Sequence, residues 1–548
     1  MLVYRYCLII SLLLAIFCSS VYGLQGSTAA NGSNAQAVHE LGYTGQGINV
    51  GLISARNVQD THEAFNDSNG VHVFNSDYSG SDVNYMGGGV PGHDTWVAGI
   101  IASRGWTGHP NNIGVSPDCN LYSARVVSDA GGISTGFVED ALEALINTYN
   151  CRVFVTAIAL PSPAFGDANG SSPWSLMYDF FAYTNNVIFA LASGNSSSNP
   201  SIFGDAYNGI TTAALIDEPN DFYLRVGGYL SGYSNPGPTI DGRKKPEISC
   251  PGSSQTTPSI GSDTSYYTTA KDGATSFSVP QTGGVAALLL EYADSTTEPN
   301  DGRNEVIKAV IVNSTFPNID NKAGNPTYPA DPNNTWHPQR GYGRIDAYRA
   351  YLTLSAGKVA AGTPINSTSG WAYNTLSDSQ THTYFINAQR RERLVLTVTW
   401  NRVVTRDRKR PSNPWVYSDE EPNKFNIDIT IKDPCDTVVY SEIDILNNLT
   451  KIDIPLELTG EYEITLTNTT SKTRDYAMAF ELLPPLTGDF NIDYIVDESD
   501  LRQMALDWLT AGPDTDIVPD VPDGMVNWLD FAEFADNWLK IEPKYYNP

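Results

Sequence analysis

A chain of 548 residues is too long for one hydrophobic core and divides into several domains. Its 61 acidic residues outnumber 33 basic ones, and the formal charge of −28 excludes nucleic acid as a partner, because phosphates need a basic surface. Beyond the N-terminal segment, no stretch is long and apolar enough to span a bilayer, so no membrane span is expected after that segment is removed.

Residues 1–23 carry Arg5, an apolar core from Cys7 to Phe17 and a Val21-x-Gly23 end suited to cleavage. This pattern predicts a secretory signal removed before Leu24, and with it a secreted or cell-surface protein. The apolar core falls short of the ~20 residues a membrane anchor needs. Cleavage leaves Cys119, Cys151, Cys250 and Cys435, whose spacings fit no zinc or CxxC pattern. Disulfides stay open as an alternative, while the strand-like surroundings of Cys119 and Cys151 favour buried free thiols.

From 36 to 355, short apolar runs alternate with helical stretches, the pattern of an α/β domain with a parallel sheet. Residues 48–53, 121–126, 152–156 and 187–192 read as buried strands, and 136–149 as a helix. Between 360 and 485 the period changes to strand alternation, clearest at 393–400, 425–432 and 460–467, which predicts an all-β sandwich. Residues 486–542 hold a repeat with an offset of 30, in which Val496, Asp500 and Trp508 correspond to Val526, Asp530 and Trp538. A small all-α module is expected there.

Three polar motifs inside the first domain carry chemistry. The run Gly273-Ala-Thr-Ser-Phe-Ser-Val-Pro280 places Ser276 at the mouth of an apolar helix, and a serine needs a neighbouring base to become a nucleophile. Gly92-His93-Asp-Thr-Trp-Val-Ala-Gly99 supplies a histidine at another helix start. Phe189-Ala-Leu-Ala-Ser-Gly-Asn195 ends a strand with an amide side chain. Taken singly, each has a structural reading: a satisfied histidine, a helix cap and a turn.

Together and in this order they resemble the HGTHVAG, oxyanion-asparagine and GTSMASP motifs of the subtilisin-like serine proteases. The run Ser234–Pro246 is similar to the SSRGPT-x-DGR-x-KP segment of the same family, and His62-Glu-Ala-Phe65 is similar to its branch with a following β-sandwich. The resemblance implies an endopeptidase acting on protein or peptide substrates, with Ser276 attacking, His93 moving its proton and Asn195 donating to the oxyanion. It also implies an aspartate at the end of the first strand, where this chain has Ser54. A serine can accept the imidazole N–H but brings no charge, so a slow protease or an inactive, peptide-binding or scaffold homologue are both open. Asp60, Glu63 and Asp94 are possible substitutes. Asp94 is disfavoured because adjacent helical residues do not face each other. Ala159-Leu160-Pro161 aligns with the family's substrate-binding run, and no propeptide is expected, with about a dozen residues between signal and domain.

The C-terminal repeat places oxygen ligands at loop positions 1, 3, 5, 9 and 12, namely Asp489, Asn491, Asp493, Asp497 and Asp500, with the Ile495 carbonyl at position 7. That is an EF-hand spacing for Ca2+. Asp523, Asn527 and Asp530 form a sparser second loop. The repeat resembles a dockerin, which implies calcium as cofactor and a cohesin-like module as partner.

Overall fold

The computed structural model describes residues 24–538 except 31, 68–69, 81–91, 197, 217–228, 231–233, 270–272, 317–334, 409–414, 420–424, 492–495, 511, 513, 516 and 518–523. The apolar run ending at Ser54 forms strand β1 (Asn49–Ser54), buried along nearly its whole length. The same sheet contains β2 (Val73–Asp77), β3 (Asn120–Arg125), β4 (Val153–Thr156), β5 (Ile188–Ala192), β6 (Ile210–Ile216), β7 (Tyr229–Leu230) and β8 (Ile248–Pro251). Their order is β7-β6-β5-β4-β1-β3-β2, with β8 also on β6; all pairs are parallel except β6 with β7. Each strand predicted from a continuous apolar run is present within a residue or two, because parallel strands buried on both faces must be apolar throughout.

Helices α1 (His93–Ala102), α2 (Thr135–Asn147), α3 (Pro173–Asn185), α4 (Thr275–Ser295), α5 (Asn304–Asn313) and α6 (Ala347–Ser355) surround this sheet. The central α4 lies directly on it: a Cβ on Gly283 would sit 2.3 Å from Val155 Cγ2, so only glycine permits the approach. Strand order reverses at β1, and in open α/β sheets the crevice beyond the carboxyl ends of the strands at such a point is where ligands bind.

The segment after 360 forms two sheets. One contains β9 (Pro364–Ile365), β11 (Thr381–Ala388), β15 (Ile427–Lys432), β16 (Val438–Glu442) and β18 (Gly460–Asn468); the other contains β10 (Ser369–Leu376), β12 (Arg393–Trp400), β17 (Leu449–Pro455) and β19 (Arg474–Leu483). Apart from β9 on β11, pairing is antiparallel. Between β12 and β15 a hairpin, β13 (Val404–Asp407) with β14 (Val416–Asp419), reaches onto α3 and shares the buried cluster that contains Val138 and Phe181.

Near the C-terminus stand two helices, α7 (Glu498–Asp507) and α8 (Trp528–Asp536), each opened by a capping box, Asp497 with Asp500 and Asn527 with Asp530. Leu486, Val496, Met504, Val526 and Phe534 form their small core. Cys119, Cys151 and Cys250 are buried free thiols, and burial pushes the Cys119 thiol up to about 11; Cys435 is free and exposed. Among the described residues, no helix is long and apolar enough to cross a membrane.

Candidate active site

Ser276 is the second residue of α4, His93 the first of α1, and Asn195 lies just past β5. The mouth of α4 meets the carboxyl edge of the sheet: Ser276 Oγ lies 3.5 Å from the carbonyl oxygen of Ala157, directly after β4. Beside it, Asn195 Oδ1 accepts from the Thr275 backbone N–H at 2.9 Å and from Thr275 Oγ1 at 3.0 Å. An amide N–H can only donate, so this contact identifies the oxygen end of Asn195 and leaves its NH2 group as a donor. Thr275 is thus the anchor of Asn195, a role the sequence reading did not assign.

Helices α1 and α4 are held together near their starts by aromatic stacking. Trp96, one turn along from His93, stacks on Tyr267 at 3.9 Å and on Phe277, the neighbour of Ser276, at 6.0 Å. Its indole N–H donates to Ser259 Oγ at 2.8 Å. Trp96 stands where the family motif has a second histidine, and its bulk explains why Gly92, with φ of 85°, precedes the helix: a Cβ there would be 3.0 Å from the indole nitrogen.

Ser54 ends β1, is buried, and its hydroxyl accepts a hydrogen bond from Ser123 Oγ at 3.1 Å. The carboxylate that does approach the histidine belongs to Asp94, whose Oδ1 is 3.7 Å from His93 Nδ1. The expectation that these neighbours could not face each other is corrected. The Asp94 carboxylate is drawn across to the end of β1, where it accepts the backbone N–H groups of Ala55 at 3.2 Å and Arg56 at 2.9 Å, and the near ring nitrogen of His93 needs little reach. Of the other acids, Asp60 accepts from Asn75 and Glu63 from the Thr107 N–H. His62 is a satisfied structural histidine, with one ring nitrogen 2.8 Å from the Ser265 carbonyl oxygen and the other accepting from the Ala64 N–H. Leu160 is buried and paired with Ile202.

In the C-terminal repeat, Asp500 is fully buried; one of its oxygens accepts from the N–H groups of Phe490 and Asn491, the other from that of Asp497. Asp530 repeats this with Ile517 and Asn527. Burial, and after it the Asp497 charge, holds the Asp500 carboxyl above its ordinary range against those N–H groups. Asp489 is buried, Asn491 and Asp497 lie at the loop rim, and Asp493, Ile495 and Asp523 fall outside the described residues, as does the expected signal segment 1–23. Among the described residues no three His, Cys, Asp or Glu side chains form a metal cluster.

The chain is 26% identical over 268 residues to a thermostable alkaline protease of Halalkalibacterium halodurans, covering 48% of this chain and 62% of that protein. It is 26% identical over 229 residues to the serine protease AprX of Bacillus subtilis, covering 38% of this chain and 50% of the relative. It therefore spans between half and two thirds of the length of these relatives. A solved mutant of the protease domain of PatA matches at 19% identity and a TM-score of 0.43, over 56% of this chain and 95% of that one. The model of the subtilase family, peptidase group S8, matches residues 28–343, more than half of the sequence, and the chain belongs to that family.

Proposed function

We propose that this protein is an exported serine endopeptidase that hydrolyses protein or peptide substrates at Ser276. The observation that carries this reading is the Thr275–Asn195 contact, which fixes an amide donor beside the candidate nucleophile at the carboxyl edge of the sheet. Ser276 Oγ bonds to the scissile carbonyl carbon while its proton passes to His93, and the Asn195 NH2 donates to the oxygen as negative charge develops there. Collapse breaks the C–N bond, with His93 returning the proton to the leaving amine. Water then repeats the sequence on the acyl ester and frees Ser276.

A fluorophosphonate probe should label Ser276, and casein cleavage should vanish in Ser276→Ala. Folded protein that takes no label would overturn the reading and favour an inactive, peptide-binding or scaffold subtilase, an outcome that the serine at position 54 makes worth testing.

The C-terminal repeat is read as a dockerin-like calcium module that attaches the chain to a cohesin-like partner. Buried carboxylates with an acidic neighbour suit a hard cation: Asp489, Asn491, Asp493, the Ile495 carbonyl, Asp497 and Asp500 would hold one, and Asp523, Asn527 and Asp530 a second. Calcium would supply the positive charge that offsets this burial. Leu506, Leu509, Trp528 and Leu529 are exposed apolar side chains on and beside the two helices, fit for a protein partner. Calorimetric titration of the full chain with Ca2+ should show binding that Asp500→Ala weakens; no heat of binding would remove the calcium role.

A further inference from the structure

We infer that Asp94 is the positioning carboxylate of the site, reaching His93 from the helix side instead of from the end of the first strand. This rests on the reading of the chain as a serine peptidase, and deepens it.

A base that takes the Ser276 Oγ proton onto Nε2 must carry its own proton on Nδ1, and a negative group beside Nδ1 holds that tautomer and stabilises the imidazolium. Among the acids considered for this role, Asp94 is the one in contact with the ring: its Oδ1 lies 3.7 Å from Nδ1, a distance of the kind that shortens to a hydrogen bond once substrate fills the site. Its carboxylate is 99% buried in side-chain terms and is itself oriented by two donors, the Ala55 and Arg56 N–H groups. Those two residues follow Ser54 directly. The carboxylate therefore lies just beyond the carboxyl end of β1, while Ser54 turns to Ser123. The remaining acids are committed elsewhere, Asp60 to Asn75 and Glu63 to Thr107.

The assignment explains two departures from the family motif with one exchange. The carboxylate missing at 54 and the aspartate replacing glycine at 94 are the same functional group moved from strand to helix. Asp94 then acts through His93 and touches no substrate.

The test uses the full chain. In the intact protein labelled with 15N-histidine, with His93→Gln assigning the signal, the imidazole shifts should show neutral His93 protonated on Nδ1, whereas a free imidazole favours Nε2. Asp94→Asn, which keeps an acceptor toward the backbone, should lose this preference and lower kcat about 10³- to 10⁴-fold with KM within about threefold. Adding Ser54→Asp to Asp94→Asn should recover at least tenfold of that loss, which a merely structural role for Asp94 does not predict. An Nε2-protonated His93 in the intact protein overturns the inference, whether or not Asp94→Asn folds. So does a folded Asp94→Asn enzyme with kcat within threefold of the intact one, or a loss that Ser54→Asp leaves unrelieved. If Ser276 takes no label in the intact chain, the peptidase reading has failed by itself, and the His93 tautomer still decides whether Asp94 governs the ring.

Discussion

The two antiparallel sheets come from one stretch of chain and share one core, yet their outer faces meet different surroundings. In the five-stranded sheet, β15 and β18 alternate buried and part-exposed residues along their length. In the four-stranded sheet, β12 is buried at every position and β19 at all but its first two. The reason is that α5 lies on β12 and β19 and α6 on β10, so that Ala477, Ala479 and Trp371 join the same buried cluster as the parallel-sheet domain. Alternation thus reports water on the second face, and its loss reports a second neighbour. The junction between the regions is a core, and the antiparallel β-rich region is part of what holds the candidate site's scaffold.

The strongest way to break this junction is through its buried charges. Arg402, just past β12, donates to Asp179 Oδ2 at 3.2 Å and to the Gly170 carbonyl at 2.7 Å, both in the parallel-sheet domain. Asp179 is fully buried, and burial pushes its carboxyl up while Arg402 and the N–H groups of Asn208 and Tyr207 pull it back. Arg402→Ala leaves that buried carboxylate without the guanidinium beside it, and a loss of about 3–5 kcal/mol in urea unfolding is expected. Adding Asp179→Asn should return part of it, since an amide costs less to bury than a charge.

A smaller effect depends on pH. Lys451, on β17, is buried with Nζ donating to the Val312 carbonyl and Thr315 Oγ1, and burial first, then Arg349, pushes its ammonium down to about 7, against Asp453 and Glu481. Between that value and the ordinary lysine value the unfolded chain binds a proton that the folded protein does not, so this group makes stability rise with pH. Relative to Lys451→Met, the intact protein should gain about 2 kcal/mol between pH 7 and pH 9, read from denaturation midpoints. A flat difference would show that the ammonium stays charged in the interface.

How much of this the sequence disclosed follows from the same distinction. Strands such as β1 and β5 were legible because burial on both faces leaves a continuous apolar run, and β15 and β18 because one wet face leaves alternation. Ser276, His93 and Asn195 were legible as motifs at element ends. Asp94 was legible only as a disfavoured substitute, because helical spacing gives the direction of a Cβ and says nothing of two backbone donors at the end of a strand that redirect the carboxylate. The Arg402–Asp179 pair and the hairpin over α3 join residues hundreds of positions apart, and no local pattern carries them.

The mildest test compares one substitution in the two sheets. Thr397 on β12 is buried and donates to Asn313 Oδ1 of α5 at 3.1 Å, whereas Thr465 on β18 is half-buried and donates to the Thr430 carbonyl at 3.3 Å beside solvent. Replacing threonine by valine preserves the branched shape at both positions and removes only the hydroxyl. At 397 it deprives a buried amide oxygen of its donor in a place water does not reach, a loss of about 1 kcal/mol. At 465 water can replace the bond and valine suits a strand, so the change should stay within about 0.5 kcal/mol of zero. Equal losses would mean that the outer face of the four-stranded sheet opens to water in solution and that α5 does not seal it.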